Sequence, residues 1–416
     1  MKIALLNFYT RIEEYPNRYS LPTLRLGEYL KSFGYDVDLI PIDLNNFANV
    51  NYEDIARTYD LIGLSNYSWV ANAVKYASKQ LRKYNPNCEI VIGGSQVEII
   101  DINDWDDEFF IIGEGEIALK NLCDYIKNNK KDDMFFDNNP NIFNKKHPNH
   151  RKLEERIAIS NPLFTNMFIP KEDRRFLWYE TCRGCAFNCG YCGHKSRCNV
   201  AYIDLDIIKD EIKNIGEYGF EKVFVIDPNF AGTKERAKKV MKLFNKYAPN
   251  TSVGLYFRPE FIDDEMIAIL SEANINEVRI GIQTTNPVIP LWIRSNNLKK
   301  IVEELPKLST NNISWRAELI TGLPGDNFIG LKNSMDFVEN LNPTEYNSYH
   351  LTVIPNTPLY KLKDNFGGKD WIVTDEFSRA IESNSYTKEE MIEMLNYAKE
   401  RTAKYNNAKV KKISRR

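Results

Sequence analysis

The stretch from Trp178 to His194, Trp-Tyr-Glu-Thr-Cys-Arg-Gly-Cys-Ala-Phe-Asn-Cys-Gly-Tyr-Cys-Gly-His, contains four of the seven cysteines of this 416-residue chain. Three of them follow the spacing Cys185-x3-Cys189-x2-Cys192. Three thiolates at these intervals can bind three irons of a cubane cluster when one loop closes around it. The fourth iron would then have no protein ligand, and this stretch is predicted to be a [4Fe-4S] site.

Other uses of the same cysteines compete with a cluster. Disulfides are disfavoured because the thiols are crowded and nothing in the chain indicates secretion. A zinc ribbon needs a second pair roughly 15–20 residues away, whereas only Cys198 follows, so zinc stays a weaker alternative. Cys182 and Cys185 form a Cys-x-x-Cys pair, but a thioredoxin-like motif opens a helix directly after a strand. We interpret Cys182 as a strand-end residue, and Cys88, Cys123 and Cys198 as structural thiols.

The cysteine motif resembles the signature of the radical S-adenosylmethionine (SAM) superfamily. In that family the open iron of a [4Fe-4S] cluster chelates the amino and carboxylate groups of SAM. Tyr191 stands where the family usually has an aromatic residue near the adenine. The resemblance also implies an external electron donor such as flavodoxin or ferredoxin.

Composition limits the partners of the chain. The 55 Lys and Arg residues nearly balance the 57 Asp and Glu residues, so no global field attracts nucleic acid or anionic lipid. The first residues lack a signal-peptide pattern, and no apolar run reaches membrane-spanning length. We therefore expect a cytoplasmic protein without nucleic-acid or membrane partners, built from two domains and an appendage.

Strand and helix patterns alternate over residues 1–130 and predict a doubly wound, Rossmann-like parallel sheet. This layout is similar to the cobalamin-binding domain that precedes the barrel in one radical SAM subgroup. The similarity is carried by Gly63–Trp69, Val91–Ser95 and Gly113–Glu116. It implies cobalamin contacts from Ser65, Asn66, Tyr67, Gly93, Gly94 and Ser95.

One departure from the cobalamin domains concerns the metal of the corrin. The Asp-x-His-x-x-Gly box is absent, and the first histidine of the chain is His147. Cobalamin would therefore have no histidine lower ligand from this domain. A Rossmann-like domain that binds no corrin is the alternative.

The rest of the chain predicts a linker over 131–175, a second domain over 176–365 and a C-terminal helical segment over 366–416. Six strand patterns, each followed by a helix or a loop, indicate an open, partial (β/α)6 barrel. They are Phe176–Thr181, Lys222–Ile226, Ser252–Phe257, Glu277–Ile282, Ser314–Ile320 and Tyr346–Val353. In the C-terminal segment, Ser385–Asn406 is predicted to be a helix capped by Thr387.

Ligands of such barrels bind at the carboxyl ends of the strands. The resemblance places SAM contacts there, with Asp227–Phe230 replacing a Gly-Gly-Glu motif, Gln283 and Thr284 near ribose, and Ile320–Gly322 near adenine. The complete SAM set is Tyr191, Asp227, Asn229, Arg258, Gln283, Thr284, Glu318, Ile320 and Gly322. Each polar member can instead be a strand-end cap, and Arg258 can form a structural pair with Glu260.

The resemblance implies an enzyme that modifies an unactivated carbon of a small molecule or short peptide. Methyl transfer is favoured if cobalamin is bound, since the cofactors supply such chemistry. Cyclisation, cross-linking or rearrangement without methyl transfer is the alternative within the superfamily. A non-enzymatic cobalamin or metal sensor is the alternative from another class. The sequence contains no basic stripe that would favour an RNA substrate.

Overall fold

The computed structural model describes residues 1–10, 18–67, 69–150, 174–194, 200–375 and 378–413. The chain divides into two compact units, Met1–Trp178 and Tyr179–Arg416. Cys198, predicted to be a structural thiol, lies outside the described residues. No helix within the described ranges is long and apolar enough to cross a membrane.

The first unit contains a six-stranded sheet in the order β2-β1-β3-β4-β5-β6. Its strands are β1 (Lys2–Tyr9), β2 (Asp36–Asp43), β3 (Leu61–Ser65), β4 (Glu89–Gly93), β5 (Phe109–Ile111) and β6 (Ile142–Phe143). Its helices are α1 (Leu21–Ser32), α2 (Tyr52–Thr58), α3 (Ala71–Tyr84), α4 (Glu116–Lys127) and α5 (Phe135–Asn138). All pairs among β1 to β5 are parallel, so the predicted doubly wound sheet is confirmed.

The inner strand β1 is buried on both faces. Ala4 and Leu6 enter one apolar cluster, whereas Ile3 and Leu5 enter the cluster on the opposite face. A strand covered on both sides needs apolar residues at consecutive positions, not at alternate ones. This requirement explains the uninterrupted run of β1.

Part of the expected linker belongs to the first sheet. Ile142 and Phe143 pair antiparallel with β5, and Phe135 of α5 is buried in the same core. These apolar side chains lie in a polar stretch, and their burial is what attaches it to the sheet. The residues from 151 to 173 lie outside the described part of the chain.

The second unit contains a six-stranded sheet in the order β14-β13-β12-β11-β10-β7. The unit's strands are β7 (Leu177–Tyr179), β8 (Cys182–Arg183), β9 (Ala201–Tyr202), β10 (Lys222–Val225), β11 (Ser252–Phe257), β12 (Ile275–Gln283), β13 (Trp315–Thr321), β14 (Glu345–His350), β15 (Ile372–Thr374) and β16 (Ala380–Ser383). Its helices are α6 (Leu205–Tyr218), α7 (Lys234–Tyr247), α8 (Asp264–Ser271), α9 (Leu298–Thr310), α10 (Phe328–Asn340) and α11 (Lys388–Ile413). The six strands predicted for an open barrel are present, in consecutive order.

Polar caps fix where the helices of the second unit begin. The side chains of Asp204, Thr233, Asp263, Asn297 and Asn327 accept backbone N–H groups of the first helical turn. Such caps satisfy donors that have no partner within the helix. They hold each loop at the carboxyl edge of the sheet, where a site can form.

The C-terminal helix α11 starts with a capping box and covers a sheet edge. The Thr387 hydroxyl accepts the Glu390 N–H, and the Glu390 carboxylate accepts the Thr387 N–H. Further along, the Asn406 amide accepts the N–H of Tyr346 and donates to its carbonyl. Tyr346 lies in the edge strand β14, so α11 satisfies backbone groups that the open sheet leaves unpaired.

Candidate functional site

The cysteine loop follows β7 and is held between two other loops of the second unit. The Gly190 N–H donates to the Ile293 carbonyl at 3.0 Å, and the Gly190 carbonyl accepts the Leu359 N–H at 2.9 Å. A Cβ atom at Gly190 would collide with the ring of Trp292. Glycine is therefore required where the loop passes Trp292.

The three predicted ligands are partly buried, in contrast to Cys182, which is completely buried. Burial raises the pKa of Cys185 and Cys192, and the charge of Cys189 acts in the same direction. Within the described ranges, no three His, Cys, Asp or Glu side chains are close enough to hold a single metal ion. A cubane cluster binds each of three cysteines at a different iron, whereas a zinc site gathers its ligands around one ion.

Two buried arginines meet at one of these cysteines. Arg258 Nη1 lies 3.5 Å from Cys189 Sγ, and Arg294 Nη1 lies 3.4 Å from the same sulfur. Arg258 also pairs with Glu260 at 2.9 Å, so the pair expected as its alternative role exists alongside the cysteine contact. Charge-assisted N–H donors stabilise a thiolate, and this arrangement fits an anionic, thiolate-ligated cluster.

Asp227 has a structural role, which differs from the SAM contact expected for it. Its carboxylate is fully buried and accepts the N–H groups of Thr181, Cys182 and Ala231 and the hydroxyl of Thr181. Burial raises the pKa of Asp227 to about 6, although these hydrogen bonds act against the rise. With four donors in place, the carboxylate has no free position for an amino group. Asp227 instead braces the start of the cysteine loop.

Gly322, which is expected to contact adenine, packs against the C-terminal segment. The Tyr386 hydroxyl donates to the Gly322 carbonyl at 2.6 Å, and a Cβ at Gly322 would collide with the Met391 side chain. The φ angle of Gly322 is +96°, which only glycine adopts readily. The C-terminal segment therefore covers this glycine.

Four other residues predicted to contact SAM differ in which of their polar atoms have a partner within the protein. Asn229 accepts the Arg258 N–H through Oδ1, while its buried Nδ2 has no partner in the described part of the chain. Thr284 is buried and accepts the Asn286 N–H in a local turn. Gln283 has a φ of +70°, and its amide lies against Gly281. Tyr191 contacts Cys189, and burial raises its pKa.

Glu318, which is predicted to contact SAM, has a carboxylate that is free to bind a ligand. Trp315 on the same strand donates to Ser309 of α9, so the alternating residues Arg316, Glu318 and Ile320 lie on the other face of the sheet. Arg316 pairs there with Glu277 and Glu345. Glu318 has neither a hydrogen bond nor an ion pair to any described residue, and burial raises its pKa against the effect of nearby arginines.

In the first unit, the predicted cobalamin residues lie at a topological switch point. The order β2-β1-β3-β4-β5 places the ends of β1 and β3 where the connections reverse direction, which is where flavodoxin-like sheets bind ligands. Asn66 follows β3 directly, and its buried Oδ1 has no described partner. Nothing lies within 4 Å of a Cβ built on Gly93, whereas Gly94 touches the Asn66 backbone.

The remaining residues of this set are near the same strand ends. Ser65 ends β3, and Ser95 begins a short 3-10 helix after β4. The ring of Tyr67 stacks on the exposed ring of Trp69 at 5.0 Å between centroids. An unpartnered amide, an open space over Gly93 and a flat aromatic pair fit a large planar ligand such as a corrin.

Residues 179–338 match the model of the Radical SAM superfamily. This part of the chain is a radical SAM domain. The match spans β7 to α10 and includes the cysteine loop, so the expected family resemblance is confirmed.

Similarity extends beyond the radical SAM domain. The chain is 23% identical to a heme chaperone, HemW, of Buchnera aphidicola over 52% of its own length and 60% of that protein. It is 23% identical to the 2-(S-pantetheinyl)-carbapenam-3-carboxylate methyltransferase of Streptantibioticus cattleyicolor over 72% of its length and 48% of that enzyme. The chain thus spans about half of the length of these relatives.

A solved structure is similar over both units. It is the radical SAM methyltransferase TsrM from Kitasatospora setae, with a TM-score of 0.74, 16% identity, and coverage of 90% of this chain and 81% of that chain. At this identity the likeness establishes a shared fold, an N-terminal parallel sheet followed by the radical SAM sheet and a C-terminal helix.

Sequence reasoning did not identify Arg294 or Trp292 of the radical SAM domain. Both lie in the loop between β12 and α9, and no spacing relates them to the cysteines. The single available signal is one arginine after the apolar run Val-Ile-Pro-Leu-Trp-Ile, a pattern too common to predict a cluster contact.

Proposed function

We propose that this protein is a cobalamin-dependent radical SAM enzyme that methylates an unactivated carbon of a small molecule or short peptide. The observation that carries the proposal is Cys189, whose sulfur faces two buried arginines in a three-cysteine loop after the first strand of the radical SAM sheet. The methyl-transfer part is supported by the TsrM-like fold over both units and by the similarity to a carbapenam methyltransferase.

In the radical SAM domain, Cys185, Cys189 and Cys192 would hold the cluster. A [4Fe-4S] cluster with SAM supplies one-electron bond cleavage, and cobalamin supplies a methyl carrier. Arg258 and Arg294 would balance the thiolate charge at Cys189. Glu318 and Ile320 lie on the sheet face opposite the helices, where a ligand can reach them.

In the first unit, Asn66 and Gly93 are the residues best suited to hold a corrin. The unpartnered Asn66 Oδ1 can accept a hydrogen bond from a side-chain amide of the corrin ring. The absence of a side chain at Gly93 leaves room for a planar ring near the backbone. No histidine precedes His147 in the sequence, so residues 1–130 would offer the corrin metal no histidine ligand.

We also infer the surroundings in which such an enzyme works. A low-potential electron has to come from an external donor of the flavodoxin or ferredoxin type. The nearly balanced charge of the chain gives no electrostatic reason for nucleic-acid binding. Reduced thiols and an iron–sulfur cluster suit the cytoplasm.

The proposal is tested by anaerobic reconstitution with iron, sulfide and cobalamin, followed by reduction in the presence of SAM labelled in its methyl group. We expect roughly four irons per chain, and formation of both 5′-deoxyadenosine and S-adenosylhomocysteine. Deoxyadenosine alone would instead favour cyclisation or rearrangement. Formation of neither product would contradict an enzymatic function and favour a sensor.

A further inference from the structure

Exposed apolar side chains surround the cysteine loop of the radical SAM domain. Val288 and Leu291 are 69% and 77% exposed, and Trp292 is 41% exposed. On a second loop, Ile354 and Tyr360 are 41% and 38% exposed. We call these five residues the apolar rim. Clustered exposed side chains of this size mark interaction sites more often than isolated ones.

The two parts of the apolar rim meet at the cysteine loop. Gly190 lies against the Trp292 ring and accepts the Leu359 N–H, next to Tyr360. A Cβ at Gly193 would lie 3.5 Å from Ile354 Cγ2. The rim is therefore continuous with the backbone that carries the cluster ligands.

The loop that exposes Leu291 also reaches a cluster ligand. Trp292 is at the surface, and two residues later Arg294 Nη1 lies 3.4 Å from Cys189 Sγ. A protein bound at Trp292 would thus lie two residues along the chain from the arginine that contacts Cys189. This closeness to a cluster ligand suits a partner protein that delivers an electron.

The charge of the two loops indicates the kind of partner. Residues 284–300 and 354–363 contain no aspartate or glutamate. Of their basic residues, Arg294 is buried against Cys189, and Lys363 pairs with Asp364 at 2.7 Å. Lys299 and Lys361 are exposed. A basic, apolar surface is complementary to an acidic one, and such complementarity accelerates association.

We infer that the apolar rim is the docking surface for an acidic one-electron donor protein of the flavodoxin type. The inference rests on the proposed function, since it presumes a cluster at Cys185, Cys189 and Cys192. In the step concerned, the reduced donor loses one electron and the oxidised cluster gains it. No bond is made or broken and no proton is transferred.

The test uses the reconstituted full chain and a reduced bacterial flavodoxin of negative net charge. Leu291→Glu places a carboxylate at the centre of the rim, and Val410→Glu is the matched control on α11, where Val410 is 64% exposed. Two quantities are measured: the dissociation constant of flavodoxin, and the rate at which flavodoxin bleaches the cluster absorbance. Dithionite serves as a reductant that needs no docking.

We expect Leu291→Glu to weaken flavodoxin binding and slow bleaching by about tenfold, with dithionite reduction unchanged and Val410→Glu like the wild type. Lys361→Glu should also weaken flavodoxin binding and slow bleaching, and it replaces Leu291→Glu as the test variant if Leu291→Glu fails to load iron. Equal binding by these variants and the wild type would refute the docking surface. So would a wild type that loads iron and reacts with dithionite but does not bind flavodoxin, a result that leaves the proposed function intact.

Discussion

At the scale of single residues, the electrostatic environment of Cys189 is the feature that most affects the proposed chemistry. Arg258 and Arg294 are both 7% exposed and both direct a guanidinium N–H at its sulfur. Hydrogen bonds to cluster sulfurs are among the factors that set reduction potentials. Two cationic donors stabilise the reduced, more negative state of the cluster.

We therefore predict that Arg294→Gln makes the cluster harder to reduce. Losing one charge-assisted hydrogen bond should lower the reduction potential and slow reductive SAM cleavage by about tenfold. A redox titration followed by electron paramagnetic resonance measures the potential. Arg379→Gln removes an exposed arginine of the same unit and should leave it unchanged. An unaltered potential in Arg294→Gln would show that this contact does not tune the cluster.

A second prediction at this scale concerns Asp227→Asn. The variant keeps the shape of the side chain but turns an NH2 group toward donors such as the Ala231 N–H. We expect a loss of about 1–3 kcal/mol in the free energy of unfolding, and less iron per chain because the start of the cysteine loop is no longer braced. Thermal unfolding of the apoprotein and iron analysis test this. Full stability with full iron would refute the bracing role.

At the scale of secondary-structure elements, the cap of helix α8 is sensitive to pH. Asp263 caps α8 through the Met266 N–H and pairs with Lys234 and Lys238. Partial burial raises the pKa of Asp263, but these contacts outweigh burial and lower that pKa to about 2. A carboxyl whose pKa is lower in the folded state stabilises the fold above its ordinary pKa, and the contribution is lost as the pH falls toward 2.

The resulting prediction is that Asp263→Asn reduces stability at pH 7 by about 1–2 kcal/mol. The difference from the wild type should shrink steadily between pH 4 and pH 2, because the wild-type carboxyl becomes protonated there. Unfolding free energies from urea titrations across this range provide the measurement. A difference that is constant with pH would assign the effect to packing and not to charge.

The contact of α11 with the sheet edge yields another prediction. Asn406→Ala removes the amide that bonds to both backbone groups of Tyr346. We expect a loss of about 1–2 kcal/mol and faster aggregation, since the edge strand β14 becomes available to other chains. Asn407→Ala changes the exposed neighbouring residue and is the matched control. Equal melting temperatures and aggregation rates for the two variants would refute the role of Asn406.

At the scale of the whole molecule, two cofactors are assigned to two units, so their loading should be separable. Replacing Cys185, Cys189 and Cys192 with alanine should abolish iron binding and preserve cobalamin binding, whereas Cys182→Ala should keep its iron. Conversely, Gly93→Val should fill the open space after β4 and reduce cobalamin binding while keeping iron.

Absorbance spectra and metal analysis of the reconstituted variants measure both loads. Gly367→Val is the control for Gly93→Val, because its Cβ also meets nothing within 4 Å. If Gly93→Val bound as much cobalamin as the wild type, the end of β4 would not belong to the corrin site. Full iron loading in the triple cysteine variant would overturn the cluster assignment itself.

The sequence by itself determined the features that depend on local pattern. Apolar runs such as that of β1 specify buried parallel strands, and the spacing of Cys185, Cys189 and Cys192 specifies three ligands on one short loop. Thr387 and Glu390 likewise identify the start of α11, because a capping box lies within one helical turn.

Only the tertiary structure decided which distant residues serve these elements. Arg258 and Arg294 reach Cys189 from 69 and 105 residues away along the chain, and no local spacing encodes such a contact. The structure also showed that Asp227 accepts hydrogen bonds from Thr181 and Cys182, and that Gly322 accepts one from Tyr386 of the C-terminal segment, partners that no local pattern indicates. Local sequence specifies an element and its ligands, whereas long-range packing determines which strand-end side chains remain free to bind.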